Sequence, residues 1–418
     1  MALGQLILLT FLIIFFLKTT KQLIQINLIN LICMCYHFFF FGLNFNTFFF
    51  LFFVFLILKL ILINHFKVFQ VKKLSIYFCL HLINFFVFHL INYPLLYSSY
   101  FLIYSLNWFG SFLNIEYNIG LDYLGFLFVL LTLLLIPVSL IVSWTAICYS
   151  VKLFFLLFLI LEILLINVFL SLDLILFYVT FESILIPMYF LVGYWGSRQR
   201  KMHAAYQFFL FTLGGSLFML MILLFFQLNY GSTNLSFLLN TKLTPYRELF
   251  VWLGFFITFA VKIPMMPLHI WLPEAHVESA TGGSVALAGI LLKLGTYGIL
   301  RFLIPLFPFS SIFLIPFVYL IAFFGVFYTS LTTIRQIDLK KIIAYSSVIH
   351  MNYLIFGLFS FNLEGLAGSF ILMIAHGFVS GGLFVCVGFL YERYHTRLKK
   401  VYGGLNSFMP TSLFFFYC

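Results

Sequence analysis

Long apolar stretches, separated by short polar or basic connections, dominate the chain from Leu121 onward. A helix that crosses the hydrocarbon core of a bilayer needs about 20 mainly apolar residues. The pattern predicts nine such spans, near residues 122–144, 153–171, 174–195, 204–228, 249–272, 283–305, 311–332, 341–360 and 366–391. We expect a tenth span to begin near Thr411. Residues 1–118 are apolar with few breaks, and we expect three or four further spans there.

The basic residues are spread unevenly over the connections between these spans. The connections after odd-numbered spans carry most of them, namely Lys152, Arg198, Arg200, Lys201, Arg335, Lys340, Lys341, Arg393, Arg397, Lys399 and Lys400. The connections after even-numbered spans carry only Lys242, Arg247 and Arg301. Lys and Arg accumulate on the cytoplasmic or matrix side of membranes. We therefore expect the odd-span connections to share one side, which we call the basic face.

Composition supports a membrane protein and excludes a soluble one. Of the 418 residues, 64% are hydrophobic and 8% are charged, whereas soluble domains carry about 25% charged residues. The alternation of apolar and polar residues that marks membrane strands is absent, so the fold class is an all-α polytopic membrane protein. The net charge of +11 is scattered over the connections, which favours loop orientation over nucleic-acid binding. The 62 Phe residues are typical of an AT-rich organellar genome.

One span contains a predicted break beside a lysine. Lys262 ends the apolar run VWLGFFITFAVK and is followed by Pro264 and Pro267. A charged side chain at membrane depth costs roughly 2.5–3.5 kcal/mol, and proline interrupts a helix. A broken helix around a buried charge is typical of ion sites in transporters. The alternative interpretation is a lysine whose ammonium group reaches the headgroups.

Four further titratable residues fall inside other spans: Glu182, Lys293, His350 and His376. A pair between Glu182 and Lys262 would satisfy both charges and could act as a proton switch. Lys293 is too far from either end of its span to reach water easily, and the glycines around it permit close helix packing or a local break. Histidine can donate, accept and titrate near neutrality. The alternatives are structural ion pairs and hydrogen-bonded histidines, but five such groups together favour a proton or ion path.

No metal or cofactor site is expected from the remaining polar residues. His269, Glu274 and His276 lie at the end of the broken span, where hydrogen bonding or helix capping is the favoured interpretation. The cysteines have neither a disulfide framework nor the spacing of an iron–sulfur site. We interpret them as packed thiols.

Several long motifs resemble one known family. They are FESILIPM, VKIPMMPLHIWLPEAHVESATGGSVALAGILLKLGTYGILRF, IRQIDLKKIIAYSSVIHMNY and AHGFVSGGLFVCVGFLYERYHTR followed by YGGL. They resemble the antiporter-like subunits of respiratory complex I, the NADH–ubiquinone oxidoreductase, and within them the subunit 4 branch of NADH dehydrogenase. The resemblance runs from about Leu121 to Leu405 and covers roughly two-thirds of the chain.

The resemblance implies a proton-pumping module of two inverted five-helix bundles, each with a discontinuous helix. It divides the chain into divergent N-terminal transmembrane helices (1–120), a first bundle that ends in the broken helix (121–272), and a linking helix with an incomplete second bundle (273–418). It makes Glu182 the partner of Lys262, with Lys293, His350 and His376 continuing a hydrated axis. No cofactor is implied for this chain.

The resemblance also implies where the chain works and with what. NADH, FMN, iron–sulfur clusters and ubiquinone are expected in partner subunits of complex I in the mitochondrial inner membrane. The expected partners are membrane-arm subunits, including subunit 5-like and subunit 2-like neighbours, and phospholipids, but no nucleic acid. The alternatives are a stand-alone cation/proton antiporter subunit, or a scaffold that has lost pumping.

The chain departs from the family at its end. Family members have roughly three further helices there, one of them a second broken helix with an acidic residue at the proton exit. We expect a separate polypeptide, from a split gene, to supply these helices beside Met409–Cys418.

Overall fold

The computed structural model describes residues 102–107, 116–144 and 146–402. Most of residues 1–118 and the tenth span near Thr411 lie outside these ranges. Strand β1 (Leu102–Asn107) pairs antiparallel with β2 (Glu116–Leu121). This two-stranded ribbon occupies the end of the segment in which helical spans were expected. The sequence of β2, EYNIGL, explains why this segment is not helical. It mixes polar and β-favouring residues in a run that is too short and too polar for a membrane helix.

Helices make up nearly all of the rest of the described chain. They are α1 (Tyr123–Val142), α2 (Val151–Leu170), α3 (Leu174–Gly193), α4 (Lys201–Tyr230), α5 (Leu235–Leu239), α6 (Pro245–Lys262), α7 (Trp271–Glu278), α8 (Thr281–Leu306), α9 (Pro308–Phe313), α10 (Ile315–Arg335), α11 (Leu339–Leu358) and α12 (Leu363–Tyr394). Each of the nine predicted spans coincides with one long helix or, for the fifth, with the broken pair α6 and α7.

Seven of these helices are long and apolar enough to cross a membrane by themselves. The other two spans are α11 and the α6–α7 pair, which carry more polar residues. The chain is therefore a multi-pass helical membrane protein, and the expected fold class is confirmed.

Helix α3 is interrupted after its first ten residues, Leu174–Ser183, and resumes at Leu185. Pro187 explains the interruption, because proline has no N–H to donate to the carbonyl four residues earlier, that of Ser183. Glu182 thus lies at the end of a half-helix.

The fifth span is broken as expected. Helix α6 ends at Lys262, and α7 begins at Trp271. Backbone groups freed inside a membrane need other partners. Trp271 Nε1 donates to the Val261 carbonyl at 2.9 Å. Asn352 Nδ2 donates to the Pro264 carbonyl at 3.3 Å from α11. These two side chains stabilise the break.

Helix α8 lies at the centre of the described helices, with 83% of its most apolar window buried. It contains two wide π-helical turns, Leu287–Leu291 and Ile299–Leu303. Such turns occur often at functional sites. The ordinary α-helical turns between them carry Lys293.

Contacts between the connections show that those after odd-numbered spans lie next to one another. Arg198 pairs with Asp338 at 2.9 Å, which joins the connection after α3 to the one before α11. Arg397, which follows α12, donates from Nη2 to the Ser197 hydroxyl at 2.8 Å. These residues belong to connections after odd-numbered spans. The basic face is therefore one side of the helix bundle.

The even-span connections meet on the opposite side. Arg301, in the last part of α8, forms an ion pair with Asp122, the N-cap of α1. Glu248, in the first turn of α6, accepts a hydrogen bond from the Ser310 backbone N–H at 2.9 Å. The two sets of contacts confirm the alternating direction of the spans.

Candidate functional site

The helix break determines the position of Lys262, because this lysine is the last residue of α6. The side chain is 5% exposed, so it does not reach the surface of the described chain. Its Nζ lies 4.3 Å from the centre of the Phe181 ring. A ring face attracts a cation, so Phe181 holds the lysine beside the end of the α3 half-helix.

Glu182 follows Phe181 and interacts electrostatically with Lys262. Both oxygens of its carboxylate are buried and have no hydrogen-bond partner among the described residues. Its polar neighbour on α4 is Ser216, but the Ser216 hydroxyl donates to the Leu213 carbonyl at 2.9 Å. Glu182 and Lys262 therefore form a pair that interacts through space without a direct hydrogen bond.

Lys293 lies near the middle of α8, about 18 Å from the first residue of that helix at 1.5 Å per residue. It is 0% exposed. Its Nζ contacts the Ala288 carbonyl at 2.6 Å and His376 Nδ1 at 2.8 Å. When Lys293 donates to Nδ1, the neutral His376 ring carries its hydrogen on Nε2. Nε2 is buried and has no partner among the described groups.

Two glycines allow α8 and α12 to come close enough for this contact. A Cβ atom on Gly377 would lie 3.2 Å from the Gly289 carbonyl oxygen, and one on Gly289 would lie 3.5 Å from the Gly377 oxygen. Gly377 follows His376, and Gly289 precedes Lys293 by one turn. Close helix packing, one of the two alternatives for the glycines around Lys293, is therefore observed.

His350 continues the row on α11. Its ring centre lies 6.0 Å from that of His376, and its side chain is exposed on the described chain. The five predicted residues thus form two groups on different helices. We call them the first pair (Glu182 and Lys262) and the central row (Lys293, His376 and His350). Within the described part of the chain, no hydrogen bond links one group to the other.

The helices that carry these two groups lie within a stretch of the chain that matches one known family. The model of the family described as NADH:quinone oxidoreductase/Mrp antiporter, TM, matches residues 171–418, more than half of the chain. The chain belongs to this family. Curated relatives agree with the match. The chain is 55% identical over 315 residues to NADH-ubiquinone oxidoreductase chain 4 of Arabidopsis thaliana, covering 75% of this chain and 63% of that relative.

A second relative, NADH-ubiquinone oxidoreductase chain 4 of Marchantia polymorpha, is 55% identical over 306 residues, with 73% of this chain and 62% of the relative covered. The chain thus spans less than two-thirds of the length of these relatives. Among solved structures, it resembles a chain of respiratory complex I from Thermus thermophilus with bound NADH. That match has a TM-score of 0.75 and 31% identity, and covers 86% of this chain and 76% of the other.

A further structure shares the antiporter fold. A chain of the Mrp complex from Dietzia sp. DQ12-45-1b superimposes with a TM-score of 0.70 at 21% identity, covering 84% of this chain and 40% of the other. At this identity the likeness shows the fold alone.

The structure also buries titratable residues that are not among the five predicted from the sequence. Glu162 lies inside α2 and is 2% exposed. It is a single carboxylate in a 20-residue apolar helix, so the criterion that selected Glu182 could have found it. His276 was assigned to hydrogen bonding or capping, and Lys340 was counted only as a connection residue. Both are buried, which depends on packing that the sequence does not display.

Proposed function

We propose that this chain is a proton-translocating membrane-arm subunit of respiratory complex I, in which NADH:ubiquinone electron transfer drives protons through Glu182, Lys262, Lys293, His376 and His350. The identity with two chain 4 relatives supports this proposal. The similarity to a complex I chain at 31% identity supports it independently. In this proposal the chain holds no redox centre, and NADH, FMN, iron–sulfur clusters and ubiquinone bind to other subunits.

The contact between Lys293 and His376 carries the proposal. A lysine in a fully buried position is costly unless it is paired or has a role. Here its only side-chain partner among the described residues is a neutral imidazole. Histidine relays a proton by accepting it at one nitrogen and releasing it from the other. A proton from Lys293 therefore arrives at Nδ1, while the Nε2 proton leaves toward His350.

In the proposed relay, the first pair controls the protonation of the central row. A proton on Glu182 removes the negative charge near Lys262, which favours loss of the lysine proton. The charge of Lys262 therefore follows that of Glu182 without a direct hydrogen bond. Since α6 packs on α8 at Gly295, a charge change on α6 occurs beside the helix that carries Lys293.

The location and the partners are part of the proposal. We assign the chain to the mitochondrial inner membrane, beside subunit 5-like and subunit 2-like neighbours and phospholipids. The separate polypeptide that would supply the following helices stays a prediction, since residues 403–418 lie outside the described ranges.

The alternative function is a stand-alone cation/proton antiporter subunit. The fold shared with an Mrp complex chain is the observation that keeps this alternative open. Purification under mild conditions separates the two. Flavin and iron–sulfur subunits should co-purify with the chain if it is part of complex I, and their absence from the purified assembly would favour the antiporter.

The relay is tested by replacing Lys262 with Met and Glu182 with Gln in the assembled complex. Proton uptake driven by NADH is measured in sealed vesicles, together with NADH oxidation by ferricyanide as a measure of assembly. We expect uptake to fall by about 10²-fold, the lower end of what a positioned proton-transfer group contributes. Exposed Lys242→Met and Glu364→Gln serve as matched controls. Normal uptake in both Lys262→Met and Glu182→Gln would refute the relay.

A further inference from the structure

A second fully buried lysine lies just inside the basic face. Lys340 is in the first turn of α11 and is 1% exposed. Its Nζ donates to the Ser279 carbonyl at 3.0 Å and to the Ser284 hydroxyl at 3.3 Å. No carboxylate accepts a hydrogen bond from Nζ among the described residues. A buried ammonium held only by neutral oxygens is costly, so the position calls for a role.

The groups around Lys340 lead inward to His276. The hydroxyls of Ser279 and Ser284 lie 2.9 Å apart, and both adjoin the His276 carbonyl at 3.2 and 3.3 Å. The His276 ring is 0% exposed and stacks on Phe384, with ring centres 4.6 Å apart. Lys340, Ser279, Ser284 and the main-chain carbonyl of His276 therefore form one continuous buried polar cluster.

The His276 ring packs against the helix that carries His376, because Phe384, on which it stacks, lies in α12 about two turns after His376. Lys340 and Lys293 are near enough to act electrostatically on this ring. Neither ring nitrogen of His276 has a hydrogen-bond partner among the described residues. Buried polar atoms in proteins are almost always paired with protein or ordered water. An imidazole with two unpartnered nitrogens, within electrostatic reach of Lys340 and Lys293, is suited to passing a proton from one lysine to the other.

Lys340 also adjoins the charges of the basic face. Asp338 caps α11, accepts a hydrogen bond from the Lys340 backbone N–H at 3.1 Å, and pairs with the half-exposed Arg198. Glu278 and Arg397 also act electrostatically on Lys340. Burial lowers the pKa of Arg397, and the nearby positive charge of Arg198 lowers it further. The lysine thus lies at the inner edge of a charged cluster that reaches the surface.

We propose that Lys340, Ser284 and His276 form a proton branch that connects Lys293 and His376 with the basic face. This inference rests on the proposed function. In the transfer, an N–H bond of the Lys340 ammonium breaks and an N–H bond on the His276 ring forms. The Ser284 hydroxyl accepts one proton and releases its own, and water completes the path to the ring. Lys340 regains a proton from water at the basic face, and no electron is transferred.

The test compares two adjacent lysines. Lys340→Met removes the buried amine and keeps its length and apolar stem. Lys341→Met is the matched control, because Lys341 is partly exposed and pairs with Glu274 at 3.0 Å outside the cluster. Both variants are measured in the assembled complex by NADH-driven proton uptake, the solvent isotope effect on uptake, and ferricyanide reduction. We expect about 10²-fold slower uptake with Lys340→Met and unchanged uptake with Lys341→Met.

A second, smaller substitution tests the proton branch if the Lys340→Met complex does not assemble. Ser284→Ala removes only the hydroxyl from a helical position where alanine is favourable. It should slow uptake and change the solvent isotope effect while ferricyanide reduction stays normal. Normal uptake and an unchanged isotope effect in Ser284→Ala would overturn the branch. If Lys262→Met abolishes uptake at the same time, the branch alone fails, whereas normal uptake in every variant refutes the proposed function.

Discussion

The first pair and the central row hold their buried charges in different ways. Glu182 and Lys262 lie at the ends of interrupted helices, and the carboxylate has no hydrogen-bond partner among the described residues. Lys293 lies within α8 and has two short contacts, to Ala288 and His376. Electrostatic interaction falls slowly with distance, whereas a hydrogen bond is lost within a few tenths of an ångström. The first pair should therefore tolerate small shifts that the central row does not.

The largest effect is expected from Lys293→Met. The substitution removes the amine that both contacts of the central row need, while the methionine fills a similar volume. Proton uptake should fall by about 10²-fold or more, and ferricyanide reduction should stay normal. Uptake equal to that of an exposed Lys242→Met control would show that the central row is not on the path.

His376→Gln should have a smaller but clear effect. Glutamine can accept a hydrogen bond from Lys293, but it cannot carry a proton from one nitrogen to the other. We expect assembly to be retained and proton uptake to decrease, because the proton transfer between the two ring nitrogens is lost. Uptake equal to that of the Lys242→Met control in the assembled variant would remove His376 from the relay.

Gly377→Ala tests how far the central row tolerates movement. The new Cβ would lie 3.2 Å from the Gly289 carbonyl oxygen and from Leu131, so these neighbours must shift by a few tenths of an ångström. Overpacking of this kind costs typically 1–3 kcal/mol, and the contact between Lys293 and His376 should lengthen. Thermal stability of the purified complex and proton uptake should both decrease.

The matched control for this change lies on the same helix. A Cβ on Gly382 would meet nothing within 4 Å, so Gly382→Ala should leave stability equal or slightly higher. If Gly377→Ala and Gly382→Ala behave alike, the close approach of α8 and α12 does not control the central row.

The smallest effect is expected from Phe181→Leu in the first pair. It removes the ring beside Lys262, a cation–π contact of about 0.5–2 kcal/mol, and leaves Glu182 in place. Proton uptake should decrease only a few-fold, because the electrostatic interaction between Glu182 and Lys262 persists. A loss as large as that of Lys293→Met would mean that the first pair is as sensitive to position as the central row.

Much of this fold could be predicted because membrane helices depend on local sequence. Apolar length predicted all nine spans, and proline beside Lys262 predicted the break between α6 and α7. The ribbon of β1 and β2 was not predicted, since its two six-residue strands fall at the end of a long region that is otherwise apolar with few breaks.

The site was predictable where a residue was out of place in its own span. Glu182, Lys293 and His376 are polar groups inside apolar runs, and the structure buries the last two as expected. Lys340 is different, because its sequence context is a basic connection. Its burial results from the packing of α11 against α7 and the start of α8, which sequence spacing does not specify.

The break after Lys262 also changes the field inside the membrane. The peptide dipoles of a helix add along its axis, so a helix that ends in the middle of the bundle presents the negative pole of its dipole there. Lys262 is the last residue of α6 and therefore lies at this negative pole. The main chain itself then stabilises a cation at this depth, so part of the counter-charge for Lys262 is supplied by backbone geometry and does not vary with pH.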